Sequence, residues 1–373
     1  MRIAIVTPGY PPAPGGVENV VGHTARALVR AGVSVEVLAQ ERRRDLPRTS
    51  VEDGVRVRRF TSNQANTYRV APQLYRYLAR AGGRYDVVHG HSYHALTGVA
   101  AALALGLRRT PAPYVFTPHY HGTGHTRARS LLHHLYTPLG KRALEASRAV
   151  LCVSEPEAER LTADFPTVAR KITVIPNAVD RAALRSARPL EDEPPTVLSV
   201  GRLEPYKRVD ELIMAFGRTG SPTSGRAPQL VVIGEGPDRS RLESVAKRSG
   251  AARRVRFLGR VDDATLYRWL RTARVLCSLS EQEAYGLAPA EALVAGARVV
   301  LSDIPAHRAW ATSDGVRLVG AAEGTTGTAT ALADALASAP AACDAVVPGW
   351  DEIAARLIDV YERAGATETR VAA

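Results

Sequence analysis

The chain is 373 residues long and carries a net charge of +12, from 49 Lys+Arg against 37 Asp+Glu, with 45% hydrophobic residues. That length exceeds one ordinary core and suits two domains, while the arginine-rich positive balance suits an anionic small molecule, an acidic membrane surface, nucleic acid or a plain solvated basic surface. Cys152, Cys277 and Cys343 lie far apart without CxxC or Cys/His ligand spacing, so neither a disulfide framework nor a structural zinc is indicated and reduced thiols are expected.

The opening "MRIAIVTPGYPP" lacks the apolar core and cleavage site of a signal peptide and reads as a strand and turn. Strands are expected at 2–8, 33–40, 55–60, 86–91, 114–120, 149–154 and 172–177, with helices at 18–30, 71–81, 128–146 and 157–164. The uncharged run from Ala95 to Leu107 falls short of the roughly 20 residues needed to span a bilayer and is read as a buried core helix. Continuous apolar strands separated by helices argue for a parallel sheet covered on both faces.

The polar, proline-rich "ARPLEDEPP" (187–195) reads as a linker. Beyond it the alternation restarts, with strands in "TVLSVGRL", "QLVVIGEG", "VRFLG", "RVLCSLS" and "ARVVLSD" and helices at 209–217, 238–249, 263–273 and 289–295. The stretches "SRAVLCVSEPEA" (147–158) and "ARVLCSLSEQEA" (273–284) echo each other, a sign of shared strand-to-helix architecture and a weak hint of duplication. An amphipathic helix over 350–365 closes one domain or crosses between the two. Two such doubly wound α/β units imply a crevice between the carboxyl ends of their sheets, where open α/β sheets bind ligands. Fold alone does not name the chemistry.

In "SEQEAYGLAPAEALVAGARVVL" (280–301), Pro289 suits a first helical position, and the N–H groups of Gly286, Leu287 and Ala288 then form an anion site at a helix start. The plain alternative is that Pro289 merely starts a helix that Gly296 ends. Glu283 and Glu291 bracket this stretch, so one carboxylate could hold sugar hydroxyls and the other a ribose. A pair of catalytic acids would need closer convergence than this spacing promises.

In "GRLEPYKR" (201–208), Arg202 and Lys207 fall on a strand-to-helix loop and could clamp a diphosphate, or be ordinary surface cations. Gly15 and Gly16 allow close backbone approach to a ligand, but the pattern is not GxGxxG, so a nicotinamide cofactor is not favoured. Histidines cluster at His89, His91 and His94 and at His119, His121 and His125 without a Cys or carboxylate at ligand spacing, so no metal is expected. His119, at a strand end, is the candidate sugar contact.

"GGVE" (15–18), "HGHS" (89–92), "FTPHYHG" (116–122), "VSEPEAERL" (153–161), "VIPNAVD" (174–180), "GRLEPYKR", "IGEGP" (233–237), "FLGRV" (257–261), "EAYGLAPAEALVAG" and "GWDEIA" (349–354) recur in one order along nearly the whole chain. Together they resemble glycosyltransferase family 4 (group 1), the retaining, nucleotide-sugar-dependent enzymes, whose E-x7-E motif the Glu283–Glu291 stretch matches. The resemblance implies a GT-B fold, two Rossmann-like domains facing across a crevice. They would be an acceptor-side domain over 1–186 and a donor domain over 187–348, with a terminal helix over 349–373 packing back on the first.

It also implies roles. Arg202 and Lys207 would hold the donor diphosphate, and Gly286 and Leu287 would add N–H donors. Glu283 would bind the transferred sugar, Glu291 the ribose, and Arg260 with Val261 would line the base. Gly15 and Gly16 would lie near the phosphates and His119 against the sugar. Ala284-Tyr285 replaces the usual Gly-Phe, Arg208 stands where Gly often follows the Lys, and an acid often seen after "SDIPAHRAWA" is lacking.

The expected reaction moves a hexosyl unit, from a donor of the GDP-mannose, UDP-glucose or UDP-GlcNAc type, to a hydroxyl of a glycan, lipid or small metabolite. It needs no bound cofactor or metal, the nucleotide sugar being a co-substrate. A GT-B-fold nucleotide-sugar epimerase and a non-catalytic anion- or nucleic-acid-binding module are the alternatives; no nucleic-acid motif is present. The protein is expected in the cytoplasm. Basic and apolar residues in 125–146 suggest peripheral contact with an anionic inner membrane face, against the alternative of a helix packed on the core.

Overall fold

The computed structural model describes residues 1–13, 15–43, 45–62, 71–106, 112–120, 122, 127–219, 226–341 and 347–369, with 127–135 and 366–369 described in backbone alone. His121, His125, Cys343, most of the 62–72 and 120–130 loops and part of the 125–146 segment therefore lie outside the described residues or side chains. Contacts divide the chain into one unit of Met1–Ala178 with Pro348–Ala373 and a second of Val179–Val347. The expected boundary at 186/187 gives way to one at 178/179. The short helix Arg181–Ser186, capped by Asp180 accepting from Ala183 N at 2.9 Å, packs on the helices Asp263–Thr272 and Leu287–Ala295 and so falls with the second unit.

The first unit runs β1 (Arg2–Thr7), α1 (Gly16–Arg30), β2 (Ser34–Glu41), β3 (Thr49–Glu52), β4 (Val55–Thr61), α2 (Pro72–Ala81), β5 (Val87–His91), α3 (Thr97–Gly106), β6 (Tyr114–Thr117), α4 (Arg127–Ala146), β7 (Ala149–Cys152), α5 (Glu155–Asp164) and β8 (Ile172–Val174). Its sheet order is β3-β4-β2-β1-β5-β6-β7-β8, parallel throughout except for the β3–β4 pair. The strand order reverses at β1, whose Ile3 to Val6 are fully buried between helix layers. Burial on both faces explains the unbroken apolar run in the sequence.

Helix ends follow their sequence signals. Ser154 caps α5 by accepting from Glu157 N at 3.2 Å, and Pro72 opens α2, where its missing N–H is harmless. The chain returns to this unit as its last helix, Trp350–Thr369. There it lies along α1, with Trp350 stacked on His23 at 5.0 Å, Asp351 2.5 Å from Arg30, and Arg356 donating to the Val174 carbonyl at 2.8 Å.

The second unit begins with α6 (Arg181–Ser186) and runs β9 (Thr196–Val200), α7 (Val209–Arg218), β10 (Gln229–Ile233), α8 (Arg239–Arg248), β11 (Val255–Gly259), α9 (Asp263–Thr272), β12 (Val275–Ser278), α10 (Leu287–Ala295), β13 (Arg298–Ser302), α11 (Pro305–Arg308), β14 (Val316–Val319) and α12 (Gly324–Ala337); the returning helix is α13. Its all-parallel sheet has the order β11-β10-β9-β12-β13-β14, which reverses at β9. This is the Rossmann order, and it places a ligand-binding switch point between the carboxyl ends of β9 and β12.

The topology corrects one sequence inference. The echoing strands β7 and β12 are not equivalent, since β7 stands three places from β1 whereas β12 is adjacent to β9. The shared pattern reflects a similar strand-to-helix connection, not a duplicated position.

Candidate functional site

At the switch point of the second unit, two loops leave the sheet side by side. The loop after β9 is held close to the one after β10 by backbone pairing, Gly201 N to Ile233 O and Leu203 N to Glu235 O, both 3.0 Å. Only glycine permits this approach: a Cβ on Gly234 would fall 1.9 Å from Gly201 O, and one on Gly236 would fall 2.2 Å from Leu203 O. The "IGEGP" glycines thus shape the loop that carries Arg202 and Lys207.

Lys207 Nζ donates to Glu283 Oε1 at 2.5 Å, joining that loop to the one after β12; each side chain is about a fifth exposed. Burial opposes the Glu283 charge, but Lys207 and a hydrogen bond from Ser280 more than offset it, so the carboxyl lies below its usual range. Burial likewise works against Lys207, and Glu283 reverses it, raising the ammonium pKa. Both shifts describe a charged pair. Tyr206 O accepts from Glu281 N at 2.9 Å and ties the same two loops together.

Arg202 is mostly exposed and pairs with Glu204, so it stands at the loop surface. Arg208 adopts φ 52, ψ 35, the left-handed region, and closes ion pairs to Glu211 at 2.6 Å and Glu281 at 3.0 Å. That conformation explains why glycine suits this position.

The loop carrying Glu283 is supported from beneath. His307 is fully buried, with Nδ1 2.9 Å from Ser302 O, while Ser302 Oγ donates to Ser280 O at 2.6 Å. Burial lowers the His307 pKa, with the Ser302 carbonyl and Glu283 pushing back. Trp310 Nε1 donates to Tyr285 O at 3.3 Å, and the two rings meet edge to face at 5.3 Å. Ser280, Ser302, His307 and Trp310 are supporting residues that the sequence reading did not single out. The only signal was the indole and imidazole three apart in "SDIPAHRAWA".

Helix α10 starts earlier than expected. Gly286 turns through φ 90, ψ 67, so Leu287 is the first helical residue and Pro289 the third, not the first. Proline is tolerated there because the first-turn N–H groups have no intrahelical acceptor. The first intrahelical bond is Ala290 N to Gly286 O at 3.2 Å, which leaves the amides of Gly286, Leu287 and Ala288 ahead of it at the positive end of the helix.

Glu291 lies one turn in, half-buried, and burial followed by Asp263 pushes its carboxyl up to about 8. It does not meet Glu283 or Lys207. Arg260 and Val261 follow the end of β11, and Arg260 lies 3.5 Å from Glu235.

In the first unit, Gly15 precedes α1 with the Glu18 carboxylate folded against it; a Gly15 Cβ would fall 1.9 Å from Glu18 Oε2, while Gly16 faces open space. His119 follows β6 with φ 47, a left-handed conformation rare outside glycine. Its Nε2 lies 3.2 Å from His91 Nδ1, and the rings stack at 5.4 Å. His91 in turn packs on His89 at 4.3 Å, and His89 is held by Tyr361 OH at 2.7 Å and Thr117 Oγ1 at 2.8 Å.

Burial, then the neighbouring imidazoles, holds His89 down near about 3 and His91 well below its ordinary value, so both are neutral. Among the described residues no group of three His, Cys, Asp or Glu is placed to hold a metal ion. The backbone after His119 is anchored by Glu157, which accepts from Tyr120 N at 2.5 Å and Val153 N at 2.6 Å; burial lifts its carboxyl to about 7 against those two bonds. Tyr361 and Glu157 were also missed by the sequence reading, because their partners are remote or backbone.

The structure therefore joins Lys207 with Glu283, sets the α10 start on the same loop, and places Arg202 at its rim. Glu291 stands apart on α10, and Gly15, Gly16 and His119 sit at the carboxyl edge of the other sheet. No helix among the described residues is long and apolar enough to cross a membrane.

The family model described as Glycosyltransferase Family 4 matches residues 14–183, and the one described as Glycosyl transferases group 1 matches residues 180–340. The phosphatidyl-myo-inositol mannosyltransferase of Mycolicibacterium smegmatis is 30% identical over 86% of this chain and 81% of its own length. The D-inositol 3-phosphate glycosyltransferase of Jonesia denitrificans is 28% identical over 96% and 92%. Among solved structures, sucrose-phosphate synthase of Thermosynechococcus elongatus superposes with a TM-score of 0.80 at 20% identity, covering 98% of this chain and 99% of that one. Anabaena HepE, solved in complex with UDP and glucose, gives 0.70 at 18% identity, covering 97% and 100%. At such identities the likeness concerns the fold, which is GT-B.

Proposed function

Because this chain belongs to the family 4, group 1 glycosyltransferases, we propose that it moves a hexosyl unit from a nucleotide sugar to an acceptor hydroxyl, with retention at the anomeric carbon and without a bound metal. The observation that carries this reading is the Lys207–Glu283 pair at the switch point of the second sheet, on the loop that leads into α10. A largely buried ammonium, paired to the loop that leads into helix-start amides without intrahelical acceptors, suits a diphosphate. A carboxylate at the same place suits the hydroxyls of the sugar attached to it.

In this reading Lys207, Arg202 and the Gly286 and Leu287 amides hold the diphosphate, Glu283 binds the transferred sugar and Glu291 binds the ribose. Arg260 and Val261 line the base, while Gly15, Gly16 and His119 keep the roles the family resemblance implies. The C1–O bond to the diphosphate breaks, a C1–O bond to the acceptor forms on the same face, and the acceptor proton passes to the departing phosphate oxygen. Lys207 and Arg202 stabilise the charge that grows on the diphosphate, an effect worth roughly 2.7–4 kcal/mol per donor.

One relative is named for D-inositol 3-phosphate and another for phosphatidyl-myo-inositol, which supports a polyol hydroxyl as acceptor. A structural neighbour's complex with UDP and glucose supports a nucleotide-sugar donor.

The test is to incubate the protein with a panel of nucleotide sugars and polyol acceptors in excess chelator and to read the anomeric configuration of the product by NMR. Retention in the presence of chelator is expected. Inversion would overturn the stereochemical claim, and loss of turnover on chelation, restored by a divalent ion, would overturn metal independence.

A further inference from the structure

A second concavity lies in the first unit, away from the β1–β5 switch point. It is a cavity of about 550 Å³ whose wall includes Glu41, Arg43, Arg48, Arg59 and Arg76. The fold explains the convergence. Glu41 ends β2, Arg59 and Thr61 end β4, Arg48 precedes β3, and Arg76 lies one turn into α2, so all converge at the carboxyl ends of two parallel strands.

Its arginines are of two kinds. Arg59 is buried and fixed, donating to Glu52 at 2.7 Å and Ser50 Oγ at 2.8 Å, yet its Nε has no hydrogen-bond partner. Arg48 and Arg76 are exposed, and among the described residues neither makes an ion pair or side-chain hydrogen bond; Arg43 is paired with Asp45. One carboxylate lines the pocket with them: Glu41 is buried, its Oε1 accepts from the Arg42 and Arg43 amides at 2.8 and 2.9 Å, and its Oε2 is unpartnered. A buried guanidinium N–H and a buried carboxylate oxygen without partners are both costly unless a ligand satisfies them.

We propose that this pocket seats the phosphate of the acceptor, a phosphate monoester or diester carried on a polyol, with Arg48, Arg59 and Arg76 taking phosphate oxygens and Glu41 Oε2 taking a hydroxyl. Guanidinium forks match phosphate geometry, and the single orphan carboxylate oxygen selects for a hydroxyl-bearing ligand over a bare anion. The pocket lies one to two strands from β1, roughly 5–10 Å at ordinary strand spacing, so one acceptor can reach from the seat to the switch point. That the ligand is the acceptor rests on the transferase reading above; the anion seat itself does not.

The experiment is calorimetric titration of the wild-type chain and of the Arg48→Gln/Arg76→Gln double variant. The ligands are myo-inositol 1-phosphate, myo-inositol, inorganic phosphate, and vesicles with or without phosphatidylinositol, each followed by titration of a nucleoside diphosphate. Wild type is expected to bind the free monophosphate or the phosphatidylinositol vesicles at least tenfold more tightly than myo-inositol or plain vesicles, and which of the two it prefers tells a soluble acceptor from a lipid headgroup. The double variant should lose at least tenfold of that affinity and keep its nucleotide affinity. Equal binding of phosphorylated and unphosphorylated forms, or affinity unchanged in the double variant, would overturn the proposal. Phosphate binding that obeys these rules in a protein with no glycosyl transfer would leave the seat standing and remove the transferase reading instead.

Discussion

Lys207 and Glu283 are 76 residues apart in sequence and 2.5 Å apart in the fold, and their contact bridges the loops that leave β9 and β12. Each partner shifts the other toward its charged form. The pair therefore serves two ends at once: it fixes two loops against each other, and it holds a cation in a partly desolvated place before any ligand arrives.

The pH dependence of that pair has a definite sign. Glu283 is depressed from its reference of 4.5, so its contribution is present above that pH and is lost as pH falls through the folded value. Lys207 is raised from 10.5, so its contribution is present below that pH and is lost as pH rises through the folded value. Lys207→Ala, which strands the carboxylate, should lower stability by about 1–3 kcal/mol throughout the window between, measured by denaturant midpoints. The gap to wild type should narrow in acid. A gap that stays constant down to pH 3 contradicts the assignment.

Gly234→Ala should displace the 201–203 loop, since the new Cβ would overlap Gly201 O. We expect a loss of about 1–3 kcal/mol in stability and a larger proportional loss of nucleotide affinity. A crystal structure or nucleotide titration of the variant checks both. Unchanged affinity would show that the loop does not position the ligand.

Arg208 separates backbone strain from side-chain contacts. Arg208→Ala and Arg208→Gly both delete the ion pairs to Glu211 and Glu281, but only glycine relieves the left-handed conformation. Thermal unfolding should find the glycine variant more stable than the alanine variant by about 1 kcal/mol.

Glu291 carries the opposite pH sign from Glu283. Its folded pKa, about 8, lies above the reference of 4.5, so its contribution is fully present below 4.5 and declines as pH rises toward 8. Wild type should therefore lose stability relative to Glu291→Gln across that interval, by several degrees in Tm, with no further divergence above it. Saturating nucleoside diphosphate should shrink the difference if a ribose hydroxyl satisfies the carboxylate.

Much of this was legible in the sequence because buried parallel strands write themselves as unbroken apolar runs. β1, β5, β9, β10 and β13 were all read within about a residue or two at one end or both. β3 and β14 escaped because edge strands alternate half-exposed residues and lack such a run. Helix α12, "GTTGTATALADALA", escaped because glycine and threonine weaken its helical signal and only its burial against the sheet decides.

The site divided the same way. Lys207 and Glu283 were readable from spacing and order, and the α10 start to within two residues, whereas His307, Trp310, Tyr361 and Glu157 act through backbone atoms or across long sequence separations. The second cavity was unreadable because its arginines come from β4, α2 and the stretch before β3. Only the sheet brings them together.

The account turns on Lys207 acting at the diphosphate of a nucleotide sugar, and the most direct measurement is turnover. Nucleoside diphosphate release from UDP-, GDP-, ADP- and dTDP-sugars should be compared for wild type, Lys207→Ala and Glu283→Gln at saturating donor, with folding verified for each. The expected result is release from at least one donor by wild type and a fall in kcat of roughly 10²–10³ in Lys207→Ala. A correctly folded Lys207→Ala enzyme that turns over at the wild-type rate would contradict it.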